Sequence, residues 1–345
     1  MSWQEGGWRM PFERRKVLVT GSDGFIGSHL TERLVRDGHD VRAFAYYNAF
    51  GSHGWLDAVP PETHRALHVV AGDIRDPWVV REAVKDREIV FHLAALIAIP
   101  YSYRAPHSYV ETNVLGTLHV LEAARELGVE RVIHTSTSEV YGTAQRVPID
   151  EDHPLSAQSP YAASKVAADQ MALAFHRSYG LPVSVIRPFN TYGPRQSLRA
   201  LIPSIIVQLL RGDGAVSLGN VRPTRDFNFV EDTVEGFLAV AGSDASVGEV
   251  VNVGSGFEVT VLRTAEILAE ITGRQLRLDV DESRMRPDDS EVERLLASHE
   301  KATRLVGWTP RFAGEDGLRR GLSATVDWFA RAENLARYPD RAYAL

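Results

Sequence analysis

Hydrophobic positions come in short runs along the first half of the chain, separated by stretches with helical spacing. Lys16–Thr20 (KVLVT) is an apolar run that ends at a glycine-rich turn. Phe25 to Asp37 then carries the pattern of a helix, and Asp40–Ala45 that of a second strand. His68–Ala71 (HVVA), Ile89–Leu93 (IVFHL), Arg131–Thr135 (RVIHT) and Val183–Arg187 (VSVIR) continue the series. Helices are predicted over Tyr109–Leu127 and Pro160–Tyr179. Strands alternating with helices of this length predict βαβ units, hence an α/β fold built on a doubly wound parallel sheet.

After Pro188 the rhythm changes. Proline and glycine become frequent (Pro194, Pro203, Gly212, Gly214, Gly219, Pro223) and the strict βαβ order lapses, which predicts a smaller α/β unit for substrate. Val250–Val253 (VVNV) reads as a core strand that rejoins the first sheet. The expected division is 13–188 plus about 227–262 for the first domain and about 189–226 plus 263–345 for the second.

Composition narrows the function classes. With 345 residues the chain is long enough for about two units and a full core. A net charge of −7 argues against a nucleic-acid binder, which needs a basic surface. The absence of cysteine excludes disulfides, thiolate catalysis, zinc ribbons and iron–sulfur clusters. Ile89–Pro100, the longest apolar stretch, contains His92 and falls short of the roughly 20 residues of a membrane span. Met1–Arg15 has no apolar core, so it is not read as a signal peptide. A soluble cytoplasmic protein is expected. His64 and His68 have i,i+4 spacing but run into a strand without a third ligand, so no metal site is predicted.

Gly21, Gly24 and Gly27 follow the first strand and open the first helix (TGSDGFIG), the context of a dinucleotide fingerprint. Gly21 permits the tight turn, Gly24 the approach of a pyrophosphate, and Gly27 close packing of helix on strand. The phosphates would sit on free N–H groups at the helix N-terminus. This makes the first domain a Rossmann unit. Asp73, after the third strand, is placed to reach the adenine. The second strand of an NAD site usually ends in Asp or Glu, but here that place falls on Ala45, followed by Tyr46, Tyr47 and Asn48. No adjacent arginine is present to pair a 2′-phosphate. NAD is the expected cofactor, with NADP left open.

Tyr161 and Lys165, spaced i,i+4, share a helix face. An ammonium beside a phenol favours phenolate, a base for a hydroxyl that loses hydride to a nicotinamide. Thr135–Gly142 (TSTSEVYG) closes the fifth strand, and open α/β sheets bind ligands beyond the carboxyl ends of their strands.

With these motifs the chain resembles the extended short-chain dehydrogenase/reductase family, the NAD-dependent epimerases and dehydratases that modify nucleotide sugars. The resemblance runs from Arg15 to the C-terminus through Leu93-Ala94-Ala95, Asn113, Thr137, Tyr161/Lys165, Arg187-Pro188-Phe189-Asn190, Thr224-Arg225-Asp226-Phe227 and Arg286-Pro287. The segments 43–57, 93–103, 136–145, 187–197 and 333–343 look most like nucleotide-linked N-acetylglucosamine 4,6-dehydratases of legionaminic-acid-type pathways. The resemblance implies catalytic roles for Thr137, Ser138, Glu139, Tyr161 and Lys165, with Glu139 removing the sugar C5 proton. Ser138 departs from the Asp-Glu pair of many sugar 4,6-dehydratases, so either it relays a proton or Glu139 itself protonates the leaving hydroxyl. The resemblance further implies cofactor contacts from Phe25, Ile26, Asp73, Ile74, Leu93, Ala94, Ala95 and Pro188, and substrate contacts from Asn190, Arg225 and Arg286. For each of the two arginines a surface ion pair is the plain alternative. A homodimer through a four-helix interface of Tyr109–Leu127 and Pro160–Tyr179 is also implied. A decarboxylase, a 4-epimerase and a cofactor-binding module without chemistry remain alternatives.

Overall fold

Twelve strands fall into three sheets in a computed structural model that describes residues 13–285 and 287–339. In chain order they are β1 (Lys16–Thr20), β2 (Asp40–Tyr46), β3 (His68–Gly72), β4 (Ile89–His92), β5 (Arg131–Thr135) and β6 (Val183–Pro188). There follow β7 (Asn190–Tyr192), β8 (Ala215–Leu218), β9 (Thr224–Phe229), β10 (Val250–Val253), β11 (Glu258–Thr260) and β12 (Arg277–Val280). The main sheet has seven strands in the order β10-β6-β5-β4-β1-β2-β3, every neighbour parallel. The order reverses direction between β1 and β4, and a crevice for ligands opens at such a switch point.

Alternation along the strands dresses both faces of this sheet. Val17 and Val19 point to one side, where they join Leu30 and Leu34 of helix Phe25–Arg36 and Phe237 of helix Val230–Ala241. Leu18 points to the other, into a cluster with Val90, Val120, Leu121 and Phe175. All of these side chains are buried, so neither face of the main sheet looks to water.

The predicted strands appear with ends shifted by a residue or so. Helix Pro160–Tyr179 occupies the span expected: Ser159 caps it by accepting the Ala162 N–H at 3.1 Å, proline stands at its first position, and Gly180 (φ +70°) ends it. The single helix expected over Tyr109–Leu127 is instead a short turn Pro106–Tyr109, a π-helical turn Val110–Leu115 and an α-helix Gly116–Glu126. The widened turn carries Asn113, which is buried and bonds both the N–H (2.8 Å) and the carbonyl (2.9 Å) of Leu96. Hydrophobic spacing does not register such an insertion; the backbone partner of its polar side chain, Leu96, lies on the loop after β4.

Val250–Val253 pairs in parallel with β6, so the chain returns to the main sheet after making β7, β8 and β9. The second sheet is β11-β9-β7, with β7 beginning just past the carboxyl end of β6, and β12 pairs with β8. The loop after β7 is pinned to helix Phe25–Arg36: His29 Nε2 lies 2.9 Å from the Pro194 carbonyl, and Arg195 pairs with Glu32 at 2.6 Å. Trp55 meets Trp328 edge to face (5.6 Å) and Tyr338 at a tilt (5.8 Å), while its backbone N–H donates to the Asp23 carbonyl at 3.0 Å. No helix among the described residues is long and apolar enough to cross a membrane.

Candidate active site

The glycine loop is built from close backbone contacts. Gly21 has φ +67°, and a Cβ there would stand 2.8 Å from the Ala94 nitrogen; a Cβ at Gly27 would stand 2.0 Å from the Gly21 carbonyl oxygen. Only glycine fits at either position. Thr20 Oγ1 receives the N–H groups of Leu93 and Ala94, each at 3.1 Å, which brings the start of Leu93-Ala94-Ala95 alongside the loop. Gly24 is exposed, and Phe25 and Ile26 open the helix behind it. Ser22 Oγ is buried among these groups without a hydrogen-bond partner. An uncovered helix N-terminus, a cradle with no room for side chains and an orphaned hydroxyl fit a dinucleotide pyrophosphate.

Two of the residues expected to contact the cofactor follow directly on β3. Asp73 is gripped by Arg75, with the shortest bond 2.6 Å, and that bond holds its carboxyl below the usual range. Ile74 is buried against Gly116, where a Cβ would come within 2.9 Å of its side chain. Pro188 closes β6 on the crevice side.

At the end of β5 the chain turns through Thr137 into the 3₁₀ turn Ser138–Tyr141. Thr137 Oγ1 accepts the Glu139 N–H at 3.3 Å, and Gly142 (φ +65°) completes the turn. Thr137, Ser138 and Glu139 are all buried, as are Tyr161 and Lys165. Burial pushes the Tyr161 phenol up, a hydrogen bond with Thr137 pulls it down, and the charge of Glu139 adds to the rise. The structure therefore brings together the five residues expected to carry the chemistry. Burial lowers the Lys165 ammonium to about 8, against the opposing charge of Asp169.

Behind Lys165 lies a buried network that the motifs alone did not single out. Asp169 Oδ2 accepts from Ser136 Oγ at 2.7 Å and from Arg187 Nη2 at 3.0 Å; its Oδ1 lies 3.2 Å from His134 Nε2. Burial pushes this carboxyl up, but His134, Arg187 and Ser136 together bring it below the ordinary value. The available signal was spacing: Asp169 stands i+4 from Lys165 and i+8 from Tyr161. Asn113 reaches the same helix, donating to Ser164 Oγ at 2.9 Å, and Ser164 donates to the Tyr161 carbonyl at 2.7 Å.

The substrate-side residues divide. Asn190 Oδ1 is buried without a partner at the start of β7. Arg225, on β9, is buried and paired with Glu291 at 3.0 Å. Arg286 lies outside the described residues. His64 comes beside His53 and Asp57, with a ligand atom of each within 4.8 Å of the others at the surface, whereas His68 begins β3.

A family model described as GDP-mannose 4,6 dehydratase matches residues 18–321. The chain belongs to this family, within the extended short-chain dehydrogenases/reductases. Its relatives differ in reaction. A dTDP-glucose 4,6-dehydratase of an Actinoplanes species is 34% identical over 91% of this chain and 97% of its own. A UDP-glucose 4-epimerase of Mycolicibacterium smegmatis is also 34% identical, over 91% and 98%. A UDP-glucuronic acid decarboxylase of Danio rerio is 29% identical over 92% of this chain and 73% of its own. Among solved structures, a double mutant of the dTDP-glucose 4,6-dehydratase DesIV of Streptomyces venezuelae, with NAD bound, superposes with a TM-score of 0.83 at 31% identity, covering 94% of this chain and 98% of that one. The family is NAD-dependent, and its members act on nucleotide sugars as dehydratases, epimerases or decarboxylases. The narrower likeness to N-acetylglucosamine dehydratases finds no counterpart among these relatives.

Proposed function

We propose that this protein is a nucleotide-sugar 4,6-dehydratase that takes a UDP- or GDP-linked N-acetylglucosamine to its 4-keto-6-deoxy form with NAD as resident cofactor. The observation that carries the reading is Glu139: a carboxylate buried at the end of β5, close enough to Tyr161 for its charge to raise the phenol. NAD, when bound, accepts the hydride of sugar C4 and gives it back at C6. The glycine loop holds its pyrophosphate, and the tail of β4 and the end of β6 flank it. Tyr161, hydrogen-bonded to Thr137, takes the proton of the C4 hydroxyl. The resulting ketone acidifies C5. Glu139 removes that proton, and the C6 hydroxyl leaves as water with a proton from Glu139 or relayed by Ser138. A proton returned to C5 completes the product. Asn190 and Arg225 are assigned to the sugar-nucleotide phosphates.

A 4-epimerase leaves the C5 proton in place and needs no base for it, so a buried carboxylate beside the phenol favours dehydration over that reading. Decarboxylation uses the same oxidation at C4, and relatives of that type keep it as the second reading. The same proposal takes the enzyme to be a cytoplasmic homodimer, joined along Tyr109–Leu127 and Pro160–Tyr179, where Val110, Leu115 and Tyr179 are exposed.

Mass spectrometry of the purified protein incubated with UDP-GlcNAc, GDP-GlcNAc, GDP-mannose, dTDP-glucose and UDP-glucuronate tests the reading. A product lighter by one water is expected from an N-acetylglucosamine donor. Loss of carbon dioxide or an isobaric product would replace the dehydratase by a decarboxylase or an epimerase.

A further inference from the structure

The adenosine end of the cofactor site lacks its usual acid on β2, where Ala45 is fully buried and Tyr46 carries no charge. A carboxylate nevertheless reaches this place from another element. Asp23, inside the glycine loop, accepts the backbone N–H of Tyr46 through Oδ2 at 3.2 Å, and Tyr46 is the last residue of β2. The neighbouring Ser22 N–H donates to the Phe44 carbonyl at 3.3 Å, so the loop is stitched to the strand end at two points. From outside, Trp55 donates its backbone N–H to the Asp23 carbonyl at 3.0 Å, and a Cβ at Gly54 would stand 2.6 Å from that oxygen. The side chain is thus held against the strand end. A carboxylate offers about four acceptor positions, and Tyr46 and the residue's own N–H use two of them.

Positive charge near this corner is already neutralised. Arg75 is bound to Asp73 through Nε and Nη2 at 2.6–3.1 Å, and its Nη1 faces Glu111 at 3.5 Å. His53 is shared with Asp57 at 3.8 Å. A 2′-phosphate here would meet a carboxylate and no uncommitted arginine fork, whereas a 2′-hydroxyl would meet an acceptor.

We propose that Asp23 supplies, from the glycine loop, the carboxylate that β2 lacks: it accepts the adenosine ribose hydroxyls of NAD and repels the 2′-phosphate of NADP. The inference rests on the reading of this crevice as the cofactor site. The test compares wild type with Asp23→Asn and Asp23→Ser, both of which keep an oxygen to accept the Tyr46 N–H. The full-length proteins are denatured and the released dinucleotides identified by mass spectrometry; binding of NADH and NADPH is titrated in parallel by nicotinamide fluorescence. Wild type is expected to carry NAD, and both variants to shift the NADPH-to-NADH affinity ratio at least tenfold towards NADPH. If wild type prefers NAD and neither folded variant moves the ratio, Asp23 is not the determinant while the cofactor reading stands. If wild type carries and binds neither dinucleotide, the cofactor reading fails and the assignment of Asp23 falls with it.

Discussion

The charge of Glu139 raises the phenol of Tyr161, and both side chains are shielded from water by the end of β5 and the start of helix Pro160–Tyr179. In the proposed reaction these two groups take different protons, Tyr161 that of the sugar hydroxyl and Glu139 the carbon-bound one. Glu139→Gln keeps the shape and removes the base. Its rate of water loss is expected to fall at least about 100-fold, while the near-ultraviolet absorbance of reduced nicotinamide rises on mixing with substrate because oxidation at C4 survives. Dehydration at close to the wild-type rate would place the base elsewhere. At this scale Tyr161, Lys165 and Thr137 were legible because a helix repeat and a strand end fix their neighbourhood. Asp169 was not, since an acid in mid-helix has the same spacing whether it faces solvent or, as here, a buried histidine and arginine. The contact of Asp23 with the Tyr46 N–H was not legible for a related reason: an acid between glycines has no periodicity to say which strand it meets.

Among the elements, β9 is tied to its neighbours by a buried acid. Asp226 is wholly buried and accepts four hydrogen bonds, from the N–H groups of Ser255, Gly256 and Ala297 and from the Ser255 hydroxyl, at 2.6–3.0 Å. It ties β9 to the turn after β10 and to the segment leading into helix Glu300–Val306. Asp226→Ala leaves those donors without an acceptor, and a loss of about 3 kcal/mol or more of stability is expected in urea unfolding. A change below about 1 kcal/mol would mean that other groups or water replace the carboxylate. The elements of the main sheet were the most readable part of the sequence, because each strand buried on two faces leaves an unbroken apolar run. The π turn around Asn113 was not readable, for its cause is a backbone partner, Leu96, on a separate loop.

Across the whole molecule the buried histidines couple stability to pH. Burial lowers His29 to about 3, with the charge of Arg195 adding to the effect, and burial also lowers His92 and His134. In the unfolded chain these rings take a proton near pH 6.5, and in the folded protein they do not. Their contribution is therefore complete above about pH 6.5 and is lost as the pH falls towards 3. Asp226, raised by burial to about 6, acts in the opposite sense, since its charge penalises the folded state above that pH and is relieved below it. The urea midpoint is expected to fall between pH 6.5 and 4, and His29→Gln to flatten that fall. An unchanged slope would remove His29 as a contributor.

Trp55 joins segments that lie far apart in the sequence. Its backbone anchors the carbonyl of Asp23, and its ring rests on Trp328 and Tyr338. Chains are synthesised from the N-terminus and tend to fold as they emerge. Here the glycine loop acquires part of its outer support from Trp328 and Tyr338, which are synthesised long after it. A nascent chain can assemble β1, β2 and the first helix long before that support arrives. A chain truncated ahead of Trp328 would present the glycine loop with Trp55 resting on neither of these rings.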